Sequence, residues 1–165
     1  MKLLPLTVPR RIDGRPRVLL VDHDRAQRYA LAELLRSDGC DVQTSSGHES
    51  WLALFKSCLS EPAAWVSFVA AVDPDLVLLD IEQPSALATL GAVRRHPLTE
   101  HVPVVVVGDA TQRRSLQAAL VMGAIRLVHR PLTLGGLRPL IDDVLAEAPP
   151  RRARTGDERP SFVVH

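Results

Sequence analysis

Four valines in a row, Val104 to Val107, follow Pro103 and stop at Gly108 and Asp109. β-Branched side chains crowd a helix and fit the pleated surface of a strand, so this run is an extended segment. A strand that is apolar at every position has no face left for water. It has to be covered on both sides, as the inner strands of a parallel sheet are by helices. Two further runs have the same form: Val18 to Val21 ends on Asp22, and Leu76 to Leu79 ends on Asp80. Weaker strand signals lie at Val42 to Ser45 and Ile125 to Val128.

Helical patterns fill the gaps. Asp24 can cap a segment in which Tyr29, Ala30, Leu31, Leu34 and Leu35 recur at helical spacing before Gly39 stops it. Gly47, followed by Trp51, Leu52, Leu54 and Phe55, opens a second helix, and beyond Pro62 an apolar helical piece runs from Ala63 to Val72. A short helix is expected over Leu87 to Arg95. Leu116, Ala119, Leu120 and Gly123 then fall at i, i+3, i+4 and i+7, so a helix here would turn all four toward a sheet. Leu137, Leu140, Ile141 and Val144 mark a last helix, expected to begin near Leu137 so that Pro139 stays in its first turn. Strands alternating with helices predict an α/β fold around a doubly wound, five-stranded parallel sheet.

The 165 residues suffice for one domain with tails and leave no room for a second, enzymatic one. Residues 1–16 read as an extended lead-in, 17–147 as the domain, and 148–165 as a proline- and arginine-rich tail. A formal net charge of +1 argues against a chain built to coat nucleic acid, which needs a basic excess to neutralise phosphates. The basic clusters, Arg10, Arg11, Arg15 and Arg17 in front and Arg151, Arg152, Arg154 and Arg159 behind, read as solvated flanks. Cys40 and Cys58 form no metal-binding or disulfide pattern. No apolar run approaches the roughly 20 residues of a membrane span, and Met1 to Val8 is too short and proline-broken for a secretory signal. The expectation is a cytoplasmic protein without membrane contact.

Ligands of open parallel sheets bind beyond the carboxyl ends of the strands. The residues expected there are Asp22, His23 and Asp24, then Asp80, then Gly108 and Asp109, and finally Arg130. Carboxylates gathered in one crevice repel each other, and a hard divalent cation such as Mg2+ relieves that repulsion and can bridge a phosphoryl group. Arg130 then serves as a counter-charge, either to a phosphate or to Asp80 in a fixed ion pair. His23 reads as a solvated loop histidine, and Glu82 and Asp109 as rim residues.

Over about residues 17 to 146 the chain resembles the receiver domain of two-component response regulators. VLLVDHD is similar to that family's acidic strand end, PDLVLLDIEQP to its phosphoacceptor strand, HVPVVVVGDA to its switch strand, and ALVMGAIRLVHRP to its last strand with a basic residue and a proline. The resemblance implies the flavodoxin-like (βα)5 fold with strand order 2-1-3-4-5. It implies Asp80 as the aspartate that takes a phosphoryl group from a sensor histidine kinase or phosphotransfer protein. It further implies Mg2+ held by Asp22, Asp80 and the backbone carbonyl of Glu82, and a cis peptide before Pro131. Output would pass to a downstream protein partner through the face of the fourth helix, fifth strand and fifth helix.

The departures from the family's pattern are specific. His23 stands at the second acid, which weakens the Mg2+ site because imidazole is a poorer partner for a hard cation. Gly108 stands where the family has a threonine or serine, Arg130 replaces a lysine, Leu127 replaces an aromatic residue, and the loop after Pro84 is about two residues short. The chain therefore reads as an atypical, stand-alone receiver that is not itself an enzyme. The alternative is a phosphorylation-independent pseudo-receiver that serves as a scaffold or dimerisation module. A nucleotide- or small-molecule-binding flavodoxin-like domain fits less well, since VDHDRAQ lacks the glycines that let backbone amides cradle a phosphate. An insertion near 57–71, carrying Trp65 and Phe68, is expected to favour a partner or homodimer surface.

Overall fold

The computed structural model describes Ile12 and residues 14–46, 61–83 and 85–148. Most of the lead-in, the helix expected from Gly47 and Trp51, the start of the insertion, Pro84 and nearly all of the tail lie outside the described residues. In chain order the elements are β1 (Arg17–Val21), α1 (Arg25–Ser37), β2 (Asp41–Ser45), α2 (Glu61–Val72), β3 (Leu76–Asp80), α3 (Ala86–Arg95) and β4 (Val104–Gly108). A 3-10 turn (Ala110–Gln112) then leads into α4 (Arg113–Val121), β5 (Arg126–His129) and α5 (Leu134–Glu147). The five strands form one sheet in the order β2-β1-β3-β4-β5, every neighbouring pair parallel.

Successive side chains of a strand point to opposite faces, and the apolar runs divide accordingly. Leu19, Val21, Val77, Leu79, Val104 and Val106 join Ala64, Trp65, Phe68 and Val69 of α2, Leu90 of α3 and Leu116 of α4 on one face. Val18, Leu20, Leu76, Leu78 and Val105 join Leu31 and Leu35 of α1 and Leu137, Ile141 and Val144 of α5 on the other. β1, β3 and β4 are buried along their whole length, as runs without a polar face require. Among the described residues no helix is long and apolar enough to cross a membrane.

Several local expectations need correction. In the 57–71 insertion, the two aromatic residues expected to anchor a partner or homodimer surface turn inward instead. Trp65 and Phe68 are only 2% and 5% exposed within this single chain and pack edge to face, ring centres 5.8 Å apart. The helix starts at Glu61, so Pro62 falls in its first turn, where no backbone N–H is needed. On α1 the buried stripe is Leu31, Ala32 and Leu35, while Tyr29 and Leu34 face solvent. α4 stops at Val121, so Gly123 (φ +104°) belongs to the turn after it and Leu120 is exposed. α5 begins earlier than expected, at Leu134, because Thr133 caps it by accepting from the Gly136 amide. Pro139 thus lies in the second turn, where it has no hydrogen to give the carbonyl of Gly135.

Arg17 is no solvated flank. It is buried at the amino end of the sheet, its Nε 2.7 Å from Asp41 Oδ2 and its Nη1 donating to the carbonyl of Val72 at 3.1 Å. Its backbone amide also donates to Asp75 at 2.7 Å, so one residue ties β1 to β2 and to both ends of the α2–β3 connection.

Candidate functional site

Strand register builds the site. Val21 pairs with Leu79 and Asp80 with Val107, so the first residue after β1, Asp22, emerges beside the last residue of β3, Asp80. Both are almost wholly buried, Asp22 at 1% exposure and Asp80 at 2%. Two buried carboxylates side by side are costly unless they find donors or positive charge, and each oxygen here has a partner. Asp22 accepts from the Asp24 amide through Oδ1 (2.8 Å) and from Arg130 Nη2 through Oδ2 (3.0 Å). Asp80 Oδ1 faces Arg130 Nη2 at 3.4 Å and the Glu82 amide at 3.2 Å, while Oδ2 lies 2.9 Å from His23 Nδ1.

Arg130 follows β5, and β4 stands between β5 and β3, so its side chain reaches over the tip of β4 at Gly108. Its backbone amide donates to the Gly108 carbonyl at 2.9 Å, and the Arg130–Pro131 peptide is cis. Burial works to lower the pKa of the guanidinium, but hydrogen bonds and charge from Asp22 and Asp80 outweigh it and leave the pKa above its ordinary value. Arg130 is therefore a fixed positive charge at any physiological pH.

Of the residues expected at the strand ends, Asp22, His23, Asp80 and Arg130 come together. His23, expected to be a loop histidine, is half-exposed yet touches Asp80 directly. Asp24 and Asp109 instead cap helical segments. Asp24 accepts from Gln27, which holds its carboxyl below the usual carboxylate range. Asp109 accepts from the Thr111 hydroxyl and amide, with the same direction of effect. Glu82 contributes its amide to Asp80, while its side chain accepts from Gln112 Nε2 at 2.6 Å.

Gly108 is not merely a missing hydroxyl. A Cβ there would lie 2.8 Å from Gln112 Oε1, 2.9 Å from Ile81 Cγ2 and 3.0 Å from Leu116 Cδ2, so the space is already filled. Gln112 closes a capping box on Asp109 and bridges to Glu82, tying the loop after β4 to the loop after β3. Sequence reasoning passed over Gln112, although D-x-x-Q after a strand is a capping-box signal. It also passed over Gln83, a buried residue whose Oε1 has no donor among the described residues. A single glutamine in a loop gives no sequence signal for that.

The donor set can be weighed against a cation. One ligand atom each from Asp22, His23 and Asp80 lies within 4.8 Å of the others. Mg2+ asks for oxygen ligands, whereas this set offers two carboxylates and an imidazole, with a guanidinium already on both carboxylates. The residues therefore fit Mg2+ poorly.

No protein-family model matches the sequence. A protein-glutamate methylesterase/protein-glutamine glutaminase of Cereibacter sphaeroides is 33% identical over 148 residues, covering 86% of this chain but 36% of that protein. The chain spans about a third of the length of the curated relatives it matches. Among solved structures, the signal receiver domain of a signal transduction histidine kinase from Syntrophus aciditrophicus aligns over 89% of this chain and 99% of its own, with a TM-score of 0.66 and 18% identity. The receiver domain of NtrX from Brucella abortus aligns over 79% and 99%, with a TM-score of 0.63 and 19% identity. These matches run nearly end to end on receiver domains, so this chain, with its parallel β2-β1-β3-β4-β5 sheet, has the fold of response-regulator receiver domains.

Proposed function

We propose that this domain works as a signalling receiver, acting through protein–protein contact, with Asp80 as its phosphoacceptor. The observation that supports this reading is the meeting of Asp22, Asp80 and Arg130 at the tips of the parallel strands, at 3.0 and 3.4 Å. In such a reaction an Asp80 oxygen forms the new O–P bond while the bond from phosphorus to the donor's histidine nitrogen breaks, leaving an acyl phosphate. The domain's residues then have separate tasks: Arg130 offsets the added negative charge, the Glu82 amide orients one Asp80 oxygen, and His23 must swing off the other. The donor would be a sensor histidine kinase or phosphotransfer protein. The activity named for the larger relatives stays outside this reading.

A specific observation favours a second reading, the phosphorylation-independent scaffold. Both Asp80 oxygens are already paired within the chain, and the position of the usual switch hydroxyl is closed at Gly108. Incubation with acetyl phosphate and either Mg2+ or Mn2+, read by intact-protein mass spectrometry, separates the two. A single phosphoryl adduct in the wild type that disappears in Asp80→Asn supports the phosphoacceptor. An unlabelled wild type with both cations assigns the domain to the scaffold class.

A further inference from the structure

The poor fit to Mg2+ has a positive counterpart. We infer that the pocket of Asp22, His23 and Asp80 selects a borderline divalent cation of the cobalt or zinc class over Mg2+, with His23 Nδ1 as a direct ligand. Three observations carry this. First, His23 is held against the acidic pair, Nδ1 at 2.9 Å from Asp80 Oδ2, and one donor atom from each of the three residues falls within the 4.8 Å spread. A proton on Nδ1 points at Asp80; as a ligand Nδ1 presents its lone pair, with the ring proton on Nε2.

Second, the local charge is low. Asp22 and Asp80 bring two negative charges and Arg130 returns one, fixed at 3.0 and 3.4 Å from them. A strongly hydrated hard ion such as Mg2+ depends on ligand charge to offset its reluctant dehydration, and one net negative charge is a weak attraction. A borderline ion gains from the nitrogen bond itself, which does not depend on that charge. Third, the division of Asp80 leaves the sites compatible. Oδ1 faces Arg130 while Oδ2 faces His23, so the imidazole side of the carboxylate is the side away from the resident cation.

The inference concerns the pocket of the signalling reading but needs no phosphoryl donor, so either can fail alone. The test titrates the full chain by calorimetry with Co2+ and, separately, with Mg2+, following the Co2+ visible absorption band. The wild type is expected to bind one Co2+ about 100-fold or more tighter than Mg2+. His23→Asp is expected to tighten Mg2+ and weaken Co2+, shrinking that ratio by about 10-fold or more. His23→Gln, which removes the nitrogen without adding charge, is expected to lose Co2+ without gaining Mg2+. The exposed His96, His101 and His129 remain in both variants, so any Co2+ signal that persists there is background. Comparable Mg2+ and Co2+ affinities in the wild type, or a ratio unmoved by His23→Asp, would overturn the inference.

Discussion

At position 108 the chain shows how one residue changes what its neighbours must be. Glycine there could be read as a switch residue deleted, a hole that a hydroxyl would refill. The structure has instead reused the space, packing Gln112, Ile81 and Leu116 over it. Gly108→Thr should therefore destabilise the domain by about 1–3 kcal/mol, the usual cost of overpacking, rather than restore a switch. Adding Gln112→Ala should recover part of the loss by freeing one of the three contacts, and urea unfolding of the single and double variants measures both. A Gly108→Thr variant as stable as the wild type would contradict this packing. His23 carries the same lesson in reverse: a sequence reading assigns it to solvent, yet its backbone position after β1 aims it at the carboxylate closing β3.

At the level of elements, the strands were legible and the helix limits less so. A four-residue apolar run that must be buried on both faces admits few alternatives, and β1, β3 and β4 lie within a residue of where such runs predict them. Helices depend on phase and on caps. Asp24 starts α1 as its side chain chemistry suggests, but Thr133 captures the start of α5 three residues ahead of Leu137. The cap wins over the proline, leaving the carbonyl of Gly135 without a helical donor at a position where both residues are exposed and water can serve it. Pro139→Ala should supply the missing N–H and raise stability by about 1–2 kcal/mol, net of the entropy the unfolded chain regains. Thermal unfolding checks this, and a variant no more stable than the wild type would mean that the helix does not run straight through this turn.

Across the whole molecule, the apolar content of α2 has been spent internally. Trp65 and Phe68 close the core over β1 and β3 and are buried within the chain. Trp65→Ala should cost about 3–5 kcal/mol of unfolding free energy, as truncation of a buried aromatic does, while sedimentation velocity shows no change in oligomeric state. Loss of a dimer with little loss of monomer stability would restore the interface reading. What the sequence by itself determined is the layered α/β plan and the placing of Asp22, Asp80 and Arg130 at strand ends, because period, apolar runs and strand-end polarity are local properties of the chain. Only the tertiary structure decided that His23 joins the acidic pair, that Gln112 fills the place over Gly108, that Arg17 is buried and that Trp65 faces inward. Each of those depends on which atoms arrive from a distant strand or helix, and parallel register across a crossover sheet brings together residues about 60 to 110 positions apart that no local pattern encodes.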